Sequence, residues 1–273
     1  MLRAALLDMY NGEDNRGIPM LIGILTRFSS DLEYDRFDVR VNNELPGMDF
    51  DIYLFSGGPG DPLEDDKPWV EPLYHLIQAL WEYNRTAELL GQPKKYVFFI
   101  CHSFQIACHC FGLGIISQRR QMSFGTYPVH KTHYGKEESL FMPLPDPFYI
   151  ADFRRYQVTQ PNKQRFKQMN AQILCLEKLR PHVQDERALM AIRFSPEIIG
   201  TQFHPEADPE GMLAHFLQSE RRASIENEYG HRRYERMIRD LAHPNKIELT
   251  FKTIIPRFLQ QSVAALKKEY TVA

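Results

Sequence analysis

One short segment constrains the fold of this chain more than any other. Tyr96–Ile100 is an unbroken apolar run, and it follows the polar sequence Pro-Lys-Lys. An uninterrupted run of this length is typical of a central strand in a parallel sheet, because such a strand is covered on both faces. The run ends at Cys101, and residues 103–111 then have helical spacing and are closed by glycine. The segment therefore predicts a strand, a sharp turn and a helix in the middle of an α/β sheet.

The first part of the chain repeats this order of strand and helix. Apolar runs at residues 2–9 and 50–55 predict strands, and the patterns at residues 18–28 and 69–90 predict helices. Strands that alternate with helices favour right-handed crossover connections. We therefore expect an α/β fold with a mostly parallel open sheet that is flanked by helices.

The pattern changes between residues 115 and 201, where short apolar runs are separated by turn signals. This change predicts a smaller part of the fold with antiparallel strands. The apolar runs in this region include residues 148–153, 173–179 and 189–194. Residues 198–203 predict the last strand, and a helix begins at residues 209–217.

The tail of the chain differs in composition, since it is rich in Arg, Glu and Lys. We therefore predict one domain over residues 1–220 and a helical C-terminal extension over residues 221–273. The extension contains two helical stretches, residues 225–241 and 247–268, and Pro256 should kink the second or shorten it. These helices either pack on the edge of the domain or form a docking or dimer surface.

Charge and composition limit the classes of partner. The formal net charge is -2, so no basic surplus points to nucleic acid or an anionic membrane. The beginning of the chain has no signal-peptide pattern, and no apolar run approaches the roughly 18 residues of a spanning helix. We therefore expect a cytoplasmic protein. The four cysteines lack the paired spacing of a zinc site and are expected to be reduced; they are Cys101, Cys108, Cys110 and Cys175.

Cys101 is a candidate nucleophile because a buried strand meets a helix there. A sharp turn at this point lifts the side chain out of the sheet edge, and the N-terminus of the following helix favours a thiolate. Such a turn needs small neighbours; Ser103 is small, whereas Phe99 is not. The alternative for Cys101 taken alone is a small buried apolar residue.

His204 and Glu206 are the candidate partners of that thiol. His204 directly follows the apolar run at residues 198–203, so it lies at the same carboxyl edge of the sheet as Cys101. Glu206 can orient the imidazole through its second nitrogen. The alternative is a solvated pair in a loop, and the matching nucleophile at Cys101 favours a triad.

A glycine-rich loop at residues 56–62 follows another predicted strand. It lacks the lysine and the spacing of a phosphate-binding P-loop, and a plain turn is the simplest alternative. The backbone N–H of Gly58 is free to face the site, and His102 directly follows the candidate nucleophile. We expect these two amides to form an oxyanion hole.

Three segments together resemble the class I glutamine amidotransferase family. They are SGGPGDP at 56–62, FFICHSFQ at 98–105 and TQFHPE at 201–206, and their order and spacing agree with the family over roughly residues 1–220. The resemblance implies a flavodoxin-like fold, the triad and the oxyanion hole. It also implies that Gln105 and Gly60 line the glutamine pocket. A shortened match to the family's Arg-Tyr-His-Ser-Leu stretch assigns glutamine binding to Tyr156, Gln157 and Val158.

The resemblance also implies an activity. Such an enzyme hydrolyses the side-chain amide of glutamine to glutamate and ammonia through a cysteine thioester, with no metal and no organic cofactor. The QFHPE ending is most similar to the glutaminase of GMP synthase. No ATP-pyrophosphatase segment follows, so the acceptor of the ammonia either lies on a separate synthetase chain or does not exist; a homodimer also stays open.

The sequence departs from the family's pattern around the nucleophile. Phe99 and Ser103 stand where the family usually has glycine, and Phe104 stands where it commonly has His or Met. The alternatives are therefore a related Cys-His-Glu enzyme, such as a γ-glutamyl hydrolase or a homoserine acyltransferase, and a non-catalytic module on the same scaffold.

Overall fold

The computed structural model describes residues 1–64, 66–179 and 186–272, and these residues contain one nine-stranded sheet. In chain order the strands are β1 (Leu2–Asp8), β2 (Leu32–Asp38), β3 (Ile52–Phe55), β4 (Tyr96–Ile100), β5 (Ile115–Lys131), β6 (Phe148–Thr159), β7 (Gln172–Glu177), β8 (Leu189–Ser195) and β9 (Ile198–Thr201). The helices are α1 (Gly17–Thr26), α2 (Val70–Leu90), α3 (His102–Cys110), α4 (His133–Glu137), α5 (Lys163–Met169), α6 (Pro209–Phe216), α7 (Ser219–Tyr229), α8 (His231–Leu241) and α9 (Ile247–Val272).

The sheet is half parallel and half antiparallel. Its strand order is β2-β1-β3-β4-β9-β8-β7-β5-β6, and the pairings from β2 to β9 are parallel, whereas those from β9 to β6 are antiparallel. The α/β fold is confirmed, but the expectation of a mostly parallel sheet with a smaller antiparallel part understated the antiparallel half. Short connections such as the turn between β8 and β9 allow only antiparallel neighbours, and apolar runs predict strands without their partners.

Alternate residues of the parallel strands face two separate cores. Leu54 and Phe98 point into a core that is covered by α1 and α9, while Phe55 and Phe99 point into a core that is covered by α2 and α3. All four side chains are buried. This burial on both faces is the reason that β3 and β4 are apolar at every position.

The C-terminal helices cover two different parts of the sheet. Helices α6 to α8 pack with residues of the paired strands β5 and β6, and α9 packs on the parallel half, where the rings of Phe258 and Phe98 are 5.1 Å apart. The predicted helix at residues 225–241 is wrong as a single element, because Gly230 separates α7 from α8 with a φ of 86°. Pro256 does not shorten the last helix, which continues to Val272.

Candidate active site

Cys101 occupies a strained turn between β4 and α3. Its φ is 49° and its ψ is -97°, a conformation that costs a non-glycine residue about 1–3 kcal/mol. Hydrogen bonds hold the backbone on both sides: the Cys101 N–H donates to the Thr201 carbonyl at 2.8 Å, and its carbonyl accepts the Gln105 N–H at 3.1 Å. The predicted sharp turn is therefore present, with the thiol at the carboxyl end of a buried strand.

Ser103 ties this turn to the neighbouring strand. Its hydroxyl accepts the Ile100 N–H at 2.9 Å and lies within donating distance of the carbonyls of Phe55 (3.0 Å) and Ile100 (2.9 Å). The residue is fully buried. A glycine here would leave the Ile100 amide without this acceptor. Ser103 is therefore small enough for the turn and also stabilises it through hydrogen bonds.

Gly200 accommodates the two bulky residues around Cys101. Phe99 pairs with Gly200 across β4 and β9. A Cβ on Gly200 would lie 2.8 Å from Cδ2 of Phe104 and 3.1 Å from Cβ of Phe99. The phenylalanines that depart from the family's pattern therefore fit because the neighbouring strand carries no side chain at this position.

His204 lies between Glu206 and Cys101. Its Nδ1 is 2.8 Å from Oε1 of Glu206, a carboxylate whose side chain is only 2% exposed, and His204 and Cys101 line the same cavity. Burial alone would lower the pKa of His204. Interaction with the buried Glu206 carboxylate, together with the neighbouring Cys101, outweighs burial and raises this pKa well above its usual value.

Gly57 is needed beside His204, and sequence reasoning did not single it out. A Cβ on Gly57 would lie 2.7 Å from Cε1 of His204 and 3.4 Å from the hydroxyl oxygen of Tyr10. Real Cβ contacts are not this short, so a side chain here would displace the imidazole. The signal in the sequence was the consecutive glycines of the loop at residues 56–62.

Gly58 and His102, whose backbone N–H groups were predicted to form the oxyanion hole, both lie at this edge of the sheet. A Cβ on Gly58 would lie 2.2 Å from the carbonyl oxygen of Met9, so only glycine lets the loop approach β1 so closely. Gly58 and Cys101 line one cavity. His102 is the first residue of α3, where backbone N–H groups have no acceptor within the helix.

Arg40 holds the backbone on both sides of Gly58, and no sequence signal pointed to it. Its Nη1 donates to the carbonyls of Met9 at 3.2 Å and Pro59 at 2.5 Å, and its guanidinium lies 5.2 Å from the ring centroid of Trp69. The side chain is 4% exposed and its Nη2 lies 3.4 Å from Glu64. These contacts fix the loop that presents the Gly58 amide.

The His102 side chain has a different environment from its backbone. Both ring nitrogens are buried without a hydrogen-bond partner among the described residues. Burial, followed by the charge of Arg40, lowers the pKa of His102 to about 3. The ring is therefore neutral at pH 7.

A cavity of about 450 Å³ opens in front of Cys101 and His204. Gly60, Gln105 and Tyr156 line it together with them, which brings three of the residues predicted to bind glutamine into one place. Nε2 of Gln105 donates to the Tyr156 carbonyl at 3.0 Å, so α3 is joined directly to β6. The cavity is large enough for an amino acid.

Two further residues predicted to bind glutamine have side chains that point elsewhere. Oε1 of Gln157 accepts from Arg119 at 2.6 Å and lines a second cavity, whereas the side chain of Val158 is fully buried in the core. The prediction for these residues concerned their backbone groups, and it stays a prediction.

Membrane spans and metal centres are both missing from the described residues. No helix in them is long and apolar enough to cross a membrane. Residues 1–64, 66–179 and 186–272 also contain no group of three or more His, Cys, Asp or Glu side chains that could hold a metal ion.

Solved structures with the same fold include glutamine amidotransferases. A glutamine amidotransferase from Thermotoga maritima matches with a TM-score of 0.69 at 14% identity, over 96% of this chain and 98% of that one. A glutamine amido transferase from Methylobacillus flagellatus matches with a TM-score of 0.60 at 16% identity, over 98% and 94%. A putative GMP synthase component from Thermoplasma acidophilum matches with a TM-score of 0.52 at 18% identity, over 76% and 86%. At these identities the likeness shows the fold.

A comparison with proteins of curated function gives no match. The family model for glutamine amidotransferase class I, in contrast, matches residues 20–222, which include the strained turn, the glycine loop and the His204 strand end. This match covers most of the chain and agrees with the resemblance of the three sequence segments. The chain therefore belongs to the class I glutamine amidotransferase family.

Proposed function

We propose that this protein is a glutaminase that hydrolyses the side-chain amide of glutamine to glutamate and ammonia. The observation that carries the proposal is the 2.8 Å contact of His204 with Glu206 in the same cavity that Cys101 lines. A thiol, a base and a carboxylate that orients the base are the groups that covalent amide hydrolysis needs.

In the first half of the proposed reaction, His204 takes the proton of the Cys101 thiol. The thiolate attacks the carbon of the glutamine amide, and the oxyanion that forms accepts hydrogen bonds from the backbone N–H groups of Gly58 and His102. Protonated His204 then gives its proton to the leaving nitrogen. Ammonia departs and a glutamyl thioester remains on Cys101.

In the second half, water hydrolyses the thioester. His204 removes a proton from the water, which attacks the thioester carbon, and the same imidazole returns the proton to the Cys101 sulfur as the C–S bond breaks. Glutamate is released and the free thiol is restored. Each step uses protein groups and water, and the proposal requires no metal or organic cofactor.

Glutamine is proposed to bind along the cavity wall formed by α3, β6 and the glycine loop. Gln105 and Gly60 contact the substrate, and its amino-acid end is held by the segment Tyr156, Gln157 and Val158. The bond between Gln105 and the Tyr156 carbonyl supports this assignment, because it fixes the two sides of the cavity relative to each other.

We further propose that the ammonia is passed to a separate synthetase chain, as in a two-chain GMP synthase. The similarity to the putative GMP synthase component of Thermoplasma acidophilum supports this choice. Affinity purification of the tagged protein from its native cells, followed by mass spectrometry, should recover an ATP-dependent synthetase. Recovery of no synthetase under gentle, low-salt conditions would contradict a stable two-chain enzyme.

The hydrolysis itself is tested with free glutamine. The wild-type protein should release ammonia, and Cys101→Ser should lower kcat/KM by about 10³-fold or more, because the hydroxyl is a far weaker nucleophile. Cys110→Ser is the matched control and should retain the rate.

Selective labelling separates this function from its alternatives. A glutamine-like chloroketone should modify Cys101 and leave Cys110 unmodified, as read by peptide mapping. Equal modification of both cysteines, with no ammonia release, would favour a non-catalytic module. Acyl transfer to homoserine or cleavage of γ-glutamyl peptides without glutamine hydrolysis would instead indicate one of the related enzymes.

A further inference from the structure

A second cavity lies beside the proposed glutamine cavity and takes no part in the reaction described above. It has a volume of about 410 Å³, and Met122 lines both cavities. Its walls come from the irregular part of β5, where the pairing with β6 shifts between Gln118 and Ser123, and from β6 and α8.

Basic side chains outnumber acidic ones in this cavity. Two acidic residues line it, and five basic residues do so: Arg119, Arg120, Lys178, Arg233 and Arg236.

Both acidic residues already have partners. Asp152 accepts from Nε of Arg154 at 2.9 Å and from the Ser123 hydroxyl at 2.7 Å. Glu177 forms an ion pair with Arg119, with 3.0 Å between Oε1 and Nη2. Neither acidic residue is therefore an ion-pair partner of Arg233 or Arg236.

Three arginines retain hydrogen-bonding or charge capacity toward a ligand. Arg233 and Arg236 form no ion pair with a described residue; Arg233 instead lies over the rings of Tyr127 and Tyr229. The Arg119 side chain is only 8% exposed, yet its Nε–H has no acceptor in the part of the chain that the structure describes. Burial, followed by the charge of Arg154, lowers the pKa of Arg119, and the negative charge of a bound anion would oppose this lowering.

The rest of the lining is apolar. Met122, Tyr127, Pro128, Ile150 and Met190 form this part of the wall. A cavity with a few converging charged groups and an apolar wall is typical of a small-molecule site, in which the charged groups orient the ligand.

We propose that this second cavity binds a small organic anion, with a carboxylate or phosphate group on Arg119, Arg233 and Arg236 and an apolar body against Ile150 and Met190. Guanidinium groups suit both kinds of anion because they donate two parallel hydrogen bonds to a pair of oxygens. The site goes beyond the proposed glutaminase function, because a molecule there lies next to the glutamine cavity and does not occupy it.

The proposal is tested by calorimetric titration at low ionic strength with phenyl phosphate, phenylacetate and inorganic phosphate. Either aromatic anion should bind with one-to-one stoichiometry, and the better of the two shows whether the site takes phosphate or carboxylate. The tighter-binding of the two aromatic anions should bind about 10-fold more tightly than inorganic phosphate because of its apolar body. Arg236→Gln, at an exposed position, should weaken binding about 5- to 10-fold, and Arg119→Lys, which keeps the charge but loses the planar fork, should weaken it similarly.

Arg85→Gln is the matched control, since Arg85 is an exposed arginine of α2 that does not line this cavity; it should leave binding unchanged. Titration of Cys101→Ser should give the same affinity as the wild type, so failure of the glutaminase proposal and failure of this one are separate results. Absence of saturable binding by all three probes, or equal binding by Arg236→Gln, Arg119→Lys and the wild type, would overturn the proposal.

Discussion

At the scale of single residues, Gly57 determines where the imidazole of His204 can lie. Gly57→Ala should lower kcat/KM for glutamine about 100-fold, because the new Cβ would meet Cε1 of His204 at 2.7 Å and displace the ring from Cys101. The atoms nearest to the new Cβ belong to side chains, which can move aside. The free energy of unfolding should therefore change little, although the activity falls. The measurement is steady-state ammonia release together with urea unfolding.

Gly23→Ala is the matched control for that experiment. A Cβ on Gly23 meets nothing within 4 Å, and the residue lies inside α1, so alanine should keep the activity and stabilise the protein slightly. Full activity of Gly57→Ala would contradict the placement of His204 next to this loop.

The buried ring of His102 should make stability depend on pH. Its pKa in the folded protein is about 3, below the usual value near 6.5, so the folded protein keeps the ring neutral while the unfolded chain takes up a proton. The contribution is therefore complete above about pH 6.5 and is lost as the pH falls, by at most about 1.4 kcal/mol per pH unit.

His102→Leu should remove this dependence, and urea unfolding at pH 7 and pH 5 measures it. The variant should lose less stability between these pH values than the wild type does, while His133→Gln, at a ring that is 79% exposed, should behave as the wild type. Equal pH dependence in His102→Leu and the wild type would show that this ring is not the buried neutral group. The variant keeps the backbone amide, so ammonia release should persist.

At the scale of elements, the contact between β4 and β9 depends on the pairing of a large residue, Phe99, with a glycine, Gly200. Gly200→Ala should destabilise the protein by about 1–3 kcal/mol, because the added Cβ meets Phe104 at 2.8 Å in a closely packed core. Phe104→Leu in the same chain should recover part of that loss. A double-mutant cycle by urea unfolding measures the coupling, and additive effects would contradict direct contact.

The elements that the sequence predicted best are the ones that are buried on both faces. The bounds of β4 were predicted as Tyr96–Ile100, and these are its bounds in the structure. In contrast β2, at one edge of the sheet, has a mixed polar sequence and was not predicted. Edge strands need no apolar face on both sides, so their sequences carry a weaker pattern.

At the scale of the whole molecule, α9 completes the core and does not form a separate layer beyond it. Phe258 is 3% exposed and packs against Phe98 of β4, the strand that leads to Cys101. Phe258→Ala should lower the free energy of unfolding by about 3–5 kcal/mol, because it removes a buried ring and leaves a cavity.

Leu89→Ala is the control, since Leu89 is 86% exposed and its change should stay within about 0.5 kcal/mol. Urea unfolding of both variants gives the comparison. If Phe258→Ala were as stable as the control, α9 would not contribute to the core. A docking surface would then be the remaining role for the C-terminal extension.

The sequence by itself determined the α/β class, the strand that leads to Cys101 and the three segments that indicate the family, because strong apolar runs and short motifs are local properties. Only the tertiary structure decided how the antiparallel half pairs, that α9 covers the parallel half, and that Gly57, Arg40 and Gly200 shape the site. Each of these depends on atoms far apart in the chain: Arg40 donates to the carbonyls of Met9 and Pro59, and Gly200 makes room for Phe99. Distances between such residues are set by packing, and no local pattern records them.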